Sequence, residues 1–387
     1  MKKTLAAVAV LGAFAGSALA ADVQLYGIVD TGFLYTHTDT DNKAGADAVD
    51  KLEMKSGMAS GSRFGFKGTE DLGNGLKVGF VLENSFDSDT GSLNKSGLLF
   101  HREASLFLEG YFGKLAMGRI GSINNGVSSW AKYGMISAFG TSFTDYAAQA
   151  GTFAMGAGMW DNMVAYQTPT FAGFTAYAQY GMGNSKTNYG SVENESSSDR
   201  YYALGATYAN GPLNLYAAVD SINYASWSKG TATQPGDVDD SLTVTIGGNF
   251  DFEVLTLFAG AQYFDEIAAD KTSGILGTTE GLRTGFAGKL EGWGLGVSAK
   301  IPAGPGVALV GVGYVDAEAA GSVAAANEKD ELTRWVVSAG YDYPFSKRTD
   351  IYVAATYMQD SLEYTAANTA DRDASVIGAM VGLRHKF

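Results

Sequence analysis

Cysteine is absent from all 387 residues, and histidine occurs only three times, as His37, His101 and His385. No disulfide can staple the chain, and no Cys or His pair stands at metal-ligand spacing, so neither a resident metal nor another cofactor is expected. Proline is scarce, with 6 residues. Beyond the first twenty residues no stretch reaches the roughly 18 apolar residues that a membrane helix needs. A chain of this kind crosses a membrane only with strands. Basic residues are also in deficit, because Lys and Arg number 27 against 41 Asp and Glu, for a net charge of −14. That balance excludes nucleic acid as a partner.

The first twenty residues have the layout of an export signal. Lys2 and Lys3 precede an apolar stretch from Leu5 to Phe14, and Ala18-Leu19-Ala20 stands before Ala21. Residues 1–20 are therefore expected to be cleaved, leaving residues 21–387 as one β-barrel domain. What the chain has in abundance is glycine (51), tyrosine (21) and phenylalanine (21). With mean hydropathy near zero, this suits strands that are greasy on one face and polar on the other.

Sixteen such segments are read: Val23 to Thr36, Ser62 to Thr69, Leu76 to Phe86, Phe100 to Gly110, Lys114 to Gly121, Asn162 to Thr168, Gly173 to Met182, Arg200 to Ala209, Leu213 to Tyr224, Ser241 to Phe250, Val254 to Phe264, Trp293 to Ile301, Val307 to Asp316, Leu332 to Tyr343, Asp350 to Asp360 and Asp373 to Phe387. Leu282 to Leu290 also alternates and is merged with Trp293 to Ile301, because an odd count would place the two ends on opposite sides of the membrane. In the second and third segments Phe64 and Phe66 oppose Arg63 and Lys67, while Leu76, Val78, Phe80 and Leu82 oppose Lys77 and Glu83. Glu70 to Gly75 between them is a compact glycine turn. Short turns of this kind belong to the periplasmic side and long polar loops to the outside. The last strand ends on Phe387 with no tail, and its natural partner is the first strand, which closes a ring. The expected fold is all-β, a sixteen-stranded antiparallel transmembrane β-barrel.

One connection differs in kind. Ile120 to Asp161 lacks period-two patterning and is rich in Gly, Ala, Met, Phe and Trp rather than charge. So apolar a loop does not suit solvent, and it is expected to fold into the lumen and narrow it. The flanking segments Phe100 to Gly110 and Lys114 to Gly121 alternate poorly, as strands with protein on both faces do. A subunit interface is the expected cause.

At Ser62-Arg63-Phe64-Gly65-Phe66-Lys67-Gly68-Thr69-Glu70-Asp71-Leu72-Gly73 the sequence resembles the trimeric general-diffusion porins of Gram-negative outer membranes, in particular their beta-proteobacterial and neisserial branch. Further blocks that resemble the family are Gly110-Tyr111-Phe112-Gly113 with Met117-Gly118-Arg119, Asp161 to Tyr166 with Pro169 and Ala172-Gly173-Phe174, Phe345 to Thr349 with Tyr352, and Val381 to Phe387. The resemblance implies a homotrimer in the outer membrane, with one water-filled pore per subunit, narrowed by an inward-folded third loop after the fifth strand. It implies a basic ladder containing Arg63 and Arg102, with Lys67, Lys77 and Arg119 as additions, and a wall carboxylate at Glu83. Asp145 and Asp161 are the facing carboxylates of the inserted loop. It also implies that Phe387 is an assembly signal read by the barrel-assembly machinery, and that lipid and lipopolysaccharide surround the barrel. One departure is Trp160, which stands where the branch often has arginine.

The outer loops look acidic: Asp39, Asp41, Asp47 and Asp50 in one, Asp237, Asp239 and Asp240 in another, Asp265, Glu266 and Asp270 in a third, and Asp316, Glu318, Glu328, Asp330 and Glu331 in a fourth. They suit a solvated, repelling rim, or divalent cations shared with lipopolysaccharide phosphates. Two rival functions deserve weighing. A barrel-embedded hydrolase needs a base beside a serine, and only His101 is so placed as to be considered. A substrate-specific channel would use Tyr133, Phe139, Phe143, Tyr146, Phe153 and Trp160 as a stacking track for sugars or organic acids. The favoured reading is passive diffusion of small hydrophilic solutes and ions.

Overall fold

The computed structural model describes residues 21–39, 41, 48–140, 152–153, 158–183, 193–195, 197–225, 239–268, 289–320, 330–364 and 371–387. Among them are seventeen strands: β1 (Ala21–Asp39), β2 (Ala48–Ser56), β3 (Arg63–Gly73), β4 (Leu76–Ser85), β5 (Glu103–Gly110), β6 (Gly113–Gly121), β7 (Met159–Gln167), β8 (Phe174–Gly181), β9 (Arg200–Asn210), β10 (Leu213–Asn223), β11 (Leu242–Asp251), β12 (Thr256–Ala268), β13 (Lys289–Ala303), β14 (Gly306–Ala320), β15 (Glu331–Pro344), β16 (Thr349–Glu363) and β17 (Arg372–Lys386).

Successive strands pair antiparallel, except that β2 and β3 both pair with β1 rather than with each other, and the ladder closes. One edge of β1 pairs over Ile28 to Asp39 with Lys386 to Ser375 of β17. On the other edge Thr31 to Asp39 pair with β2 and Ala21 to Ile28 pair with β3. β2 and β3 are thus the upper and lower halves of one stave, and the seventeen strands make a sixteen-stave barrel. Gly27 and Phe387 exchange two backbone hydrogen bonds of 3.0 Å each, which carries the closure to the last residue.

β2 is a correction to the sequence reading, which put Asp50 in a loop and ended the first segment at Thr36, one residue before His37. His37 pairs with Asp50 across β1 and β2, and its Nδ1 lies 3.0 Å from the Asp50 carboxylate. The signal was present in Lys51-Leu52-Glu53-Met54-Lys55, where exposed Leu52 and Met54 alternate with charge. Asp39, Asp265, Glu266, Asp316, Glu318 and Glu331 likewise lie on strands rather than in loops. The ladder continues into water because polar side chains at its upper end do not interrupt backbone pairing. Asp47, Asp237, Asp270, Glu328 and segment 282–288 lie outside the described residues.

Alternation sorts the barrel into two faces. On β17, Ala374, Val376 and Met380 are buried inward while Ile377, Val381 and Leu383 are exposed outward. Two aromatic rims bound the outer band. One contains Trp293 with Tyr314, Trp335 with Tyr357 and Tyr180 with Tyr202; the other, near the short turns, contains Phe174 with Tyr208, Phe250 with Phe252 and Tyr343 with Phe345. From Trp335 to Tyr343 is roughly 25 Å along the strand at ~3.3 Å per residue, about the height of a hydrocarbon core.

The chain after β6 folds inward, as expected. Gln179 on β8 accepts from the Ile123 amide at 2.7 Å and donates to the Gly121 carbonyl at 3.1 Å. Asn124 donates to Asp220 on β10 at 2.8 Å, and the Ala138 amide donates to Ser298 on β13 at 2.9 Å. A 3-10 turn, Tyr133–Met135, sits between. Farther on, Phe139 is buried among Leu309, Val336, Tyr352 and Met380 on the opposite wall. Wall glycines make this passage possible: a Cβ on Gly313 would lie 2.0 Å from Thr152 Oγ1, and one on Gly247 would lie 2.7 Å from Ile136.

The weak alternation of β5 and β6, expected to mark a subunit contact, reflects on the inner face a cover of protein. Their inward apolar residues Phe107, Ala116 and Ile120 are covered by Ile123, Trp130 and Tyr133 of the inserted loop. Deleting Phe387 should expose the Gly27 amide and carbonyl and destabilise the barrel by about 2 kcal/mol, at roughly 1 kcal/mol per hydrogen bond. Urea titration in detergent, followed by the heat-modifiable shift on gels, reads the loss; an unchanged midpoint contradicts the closure described.

Candidate functional site: the lumenal constriction

Between the inserted loop and the β1–β5 wall lies a cavity of about 350 Å³. Arg63, Glu83 and Arg102 line the wall side, Gly126, Val127, Ser128 and Ser129 the loop side, and Gly57, Ser60 and Gly61 a third side. Glu83 is the hub. It accepts from Arg102 Nε at 2.6 Å and from the Tyr26 hydroxyl at 3.0 Å, and Arg63 Nε stands 3.6 Å away. Gly65, opposite Glu83 in the ladder, lets Tyr26 lie flat on the wall, since a Cβ there would meet the ring at 2.7 Å.

The third side was not legible as such in the sequence. Gly57 to Ser62, between β2 and β3, folds inward and is held by Asp30, which is fully buried on β1. The Asp30 carboxylate accepts from the Ala59 amide at 3.0 Å, the Ser60 amide at 2.7 Å and the Tyr352 hydroxyl at 2.6 Å. Met58 then joins the cluster that buries Phe139, so the excursion and the far end of the described loop pack on one another. Arg384 on β17 braces the excursion, donating to Ser60 Oγ at 2.9 Å, to Asp350 at 2.9 Å and to Asp342 at 2.8 Å. Glu103 latches the near end of the loop: it accepts from the Ser129 amide at 2.8 Å and from the Ser129 hydroxyl at 2.9 Å. A lone carboxylate at an inward position, as at Asp30 or Glu103, was the available signal.

Of the residues expected to line the constriction, Arg63, Glu83 and Arg102 come together at the cavity. Lys67 lies outside its lining, with its ammonium 5.2 Å from the Tyr26 ring centre. Lys77 sits at the β3–β4 turn, six residues from Glu83 and so roughly 20 Å along the strand. Arg119 donates to the His101 carbonyl at 2.7 Å and to the Asp161 carboxylate. Asp161 is corrected from loop to strand β7, because pairing of Met159 and Trp160 with β6 begins before it. Asp145 lies outside the described residues.

The acid facing Arg63 and Arg102 therefore comes from their own wall, and the loop residues across the cavity are uncharged. Arg102 is mostly spent on Glu83, whereas Arg63 is the more open of the two, at 25% side-chain exposure against 12%. His101 Nε2 meets Ser85 Oγ at 2.9 Å, but its Nδ1 is buried with no partner among the described residues. Burial, and then Arg102 and Arg119, push the His101 imidazolium down to about 4, so the ring is neutral at pH 7. A Ser–His dyad without a third group to orient the imidazole is a wall hydrogen bond. Of the proposed aromatic track, Tyr133, Phe139, Phe153 and Trp160 are buried, Trp160 stacked 5.3 Å from Tyr201. Phe143 and Tyr146 lie outside the described residues.

A closed, outwardly apolar barrel with a charged constriction inside is a transmembrane channel. The model of the Gram-negative porin family matches residues 6–362. An outer membrane porin protein of Bordetella pertussis is 34% identical over the whole of both chains, and outer membrane porin protein 32 of Delftia acidovorans is 30% identical, again over the whole of both. Among solved structures, an anion-selective porin from Comamonas acidovorans superposes with TM-score 0.65 at 24% identity, covering 95% of this chain and 100% of that one. The outer membrane channel DcaP of Acinetobacter baumannii gives 0.62 at 17%, covering 96% and 99%. The chain belongs to the Gram-negative porin family. It is an outer-membrane porin, a water-filled path for passive diffusion of small hydrophilic solutes and ions.

Replacing Asp30 with alanine should strand two amides and one hydroxyl and release the excursion, at a cost of about 3 kcal/mol or more for the unmet donors. Single-channel conductance in KCl should rise, and a conductance equal to that of the unaltered protein would show that the excursion does not restrict the path.

Proposed function

We propose that the Arg63–Glu83–Arg102 cluster is the selectivity constriction of this porin and that it favours anions. The observation that carries the reading is the guanidinium of Arg63, more exposed than that of Arg102, set against a loop segment without charge across a cavity of about 350 Å³. Beside a low-dielectric wall, a cation that is not fully neutralised raises the local anion concentration, while acidic outer mouths draw cations in. The constriction dominates because every ion passes it within a few ångströms, where screening by salt is weakest. General diffusion is favoured over a substrate track because the described loop aromatics are spent on packing.

The same reading covers how the protein reaches its place. Residues 1–20 direct export and are cleaved before Ala21. Phe387 serves as the signal to the barrel-assembly machinery, lipopolysaccharide meets the upper aromatic rim, and three copies assemble with one pore each. No enzymatic activity belongs to the reading.

Planar-bilayer recording in asymmetric KCl tests the central claim. Arg63→Gln and Arg102→Gln should each move the reversal potential toward cations, since either removes one positive charge from the cluster, and openings should come in groups of three. No shift with either variant removes the cluster from the selectivity filter.

A further inference from the structure

Two further lysines, one on the wall beneath the inserted loop and one on the loop itself, are not used by the constriction. Lys114 occupies an inward row of the wall, level with Gln167 on β7 and Tyr177 on β8. Lys132 hangs from the inserted loop over the same row. The Lys114 ammonium lies 4.1 Å from the Phe107 ring centre and 5.3 Å from that of Trp130; the Lys132 ammonium lies 5.0 Å from Tyr177. Aromatic faces attract cations but leave their three N–H donors unspent.

In a chain with a large acidic excess, these two cations would be expected to find carboxylates. Among the described residues neither forms an ion pair within 4.0 Å. Glu103 and Glu109 act on Lys114 only from beyond that distance, and Glu103 is already held by Ser129 and Ser105. Burial, and next the neighbouring Lys114, push the Lys132 ammonium below its ordinary value. A half-buried ammonium beside a like charge, with no carboxylate paired to it among the described residues, is raised in free energy. A bound anion relieves both at once, and the Gln167 amide stands in the row to add a donor.

We infer that Lys114 and Lys132, with Gln167 between the aromatic supports, form an oxyanion-binding station on the periplasmic side of the inserted loop. From Glu103 at the constriction to Glu109 on the row is six residues of β5, roughly 20 Å along the strand. The Lys114 head reaches back up to Trp130, one residue beyond Ser129 of the cavity lining, so the station adjoins the Arg63 cavity on its periplasmic side and an anion leaving one meets the other next. Two ammonium groups and an amide suit a compact oxyanion such as inorganic phosphate better than chloride, because an oxyanion offers several acceptor oxygens to separate donors. This inference rests on the channel reading.

The test is single-channel recording in KCl with inorganic phosphate titrated onto either side. Regular KCl steps report the channel itself, so their loss would count against that reading rather than against the station. In the unaltered protein, phosphate should reduce current saturably. Lys114→Gln and Lys132→Gln should each raise the half-blocking concentration about tenfold, Lys132→Arg should largely retain block, and Lys347→Gln at an exposed turn should leave it unaltered. Absence of saturable block in the unaltered channel overturns the station, as does block that is unchanged in both glutamine variants.

Discussion

Everything in this molecule depends on satisfying backbone hydrogen bonds where no water is present to help. A strand edge left open in hydrocarbon costs several kcal/mol per unmet group, so the ladder must return to its start. The return is made by β17 on β1 and continues to Phe387, whose own amide and carbonyl bond Gly27. Once closed, the barrel needs no disulfide, and the absence of cysteine is the consequence rather than a gap in its defences.

Closure leaves a lumen that must be partly filled if it is to select. The inserted loop fills it by the same physics that packs a soluble core: apolar Ile123, Ile136, Phe139 and Phe153 are buried, and wall glycines at Gly247, Gly294 and Gly313 make the room. Buried polar tethers then set its position, with Gln179, Asp220, Ser298 and Glu103 satisfying loop groups that would otherwise be stranded. Asp30 does the same for the shorter Gly57 to Ser62 excursion. The narrowing is thus a joint product of two inward segments, pressed together where Met58 meets the Phe139 cluster.

Charge in the lumen follows from that packing. Glu83 draws in Arg102 and the Tyr26 hydroxyl, which leaves Arg63 as the more exposed cation at the cavity. Farther down, Lys114 and Lys132 are held against aromatic rings by the same loop that narrows the channel. Path and potential are set together: moving the loop would change both.

The barrel was legible in the chain because period-two alternation and short glycine turns are local signals, and all sixteen staves left their mark. The upper half of the second stave was missed because Asp50 and its charged neighbours read as loop, although exposed Leu52 and Met54 kept the period. Arg63 and Glu83 were legible as inward positions with charge, and Arg102 through the family resemblance. Their association was not, because it depends on which strands adjoin and on Gly65 making space for Tyr26. Likewise Asp161 looked like a loop carboxylate until pairing of β6 with β7 placed it on a strand. Sequence alone determined an amphipathic ring, its apolar belt and its inward-turning loop, since these follow from side-chain order along one strand. Only the tertiary structure decided which charges neutralise one another, because that balance is struck across strands and between wall and loop, over distances the linear order does not encode.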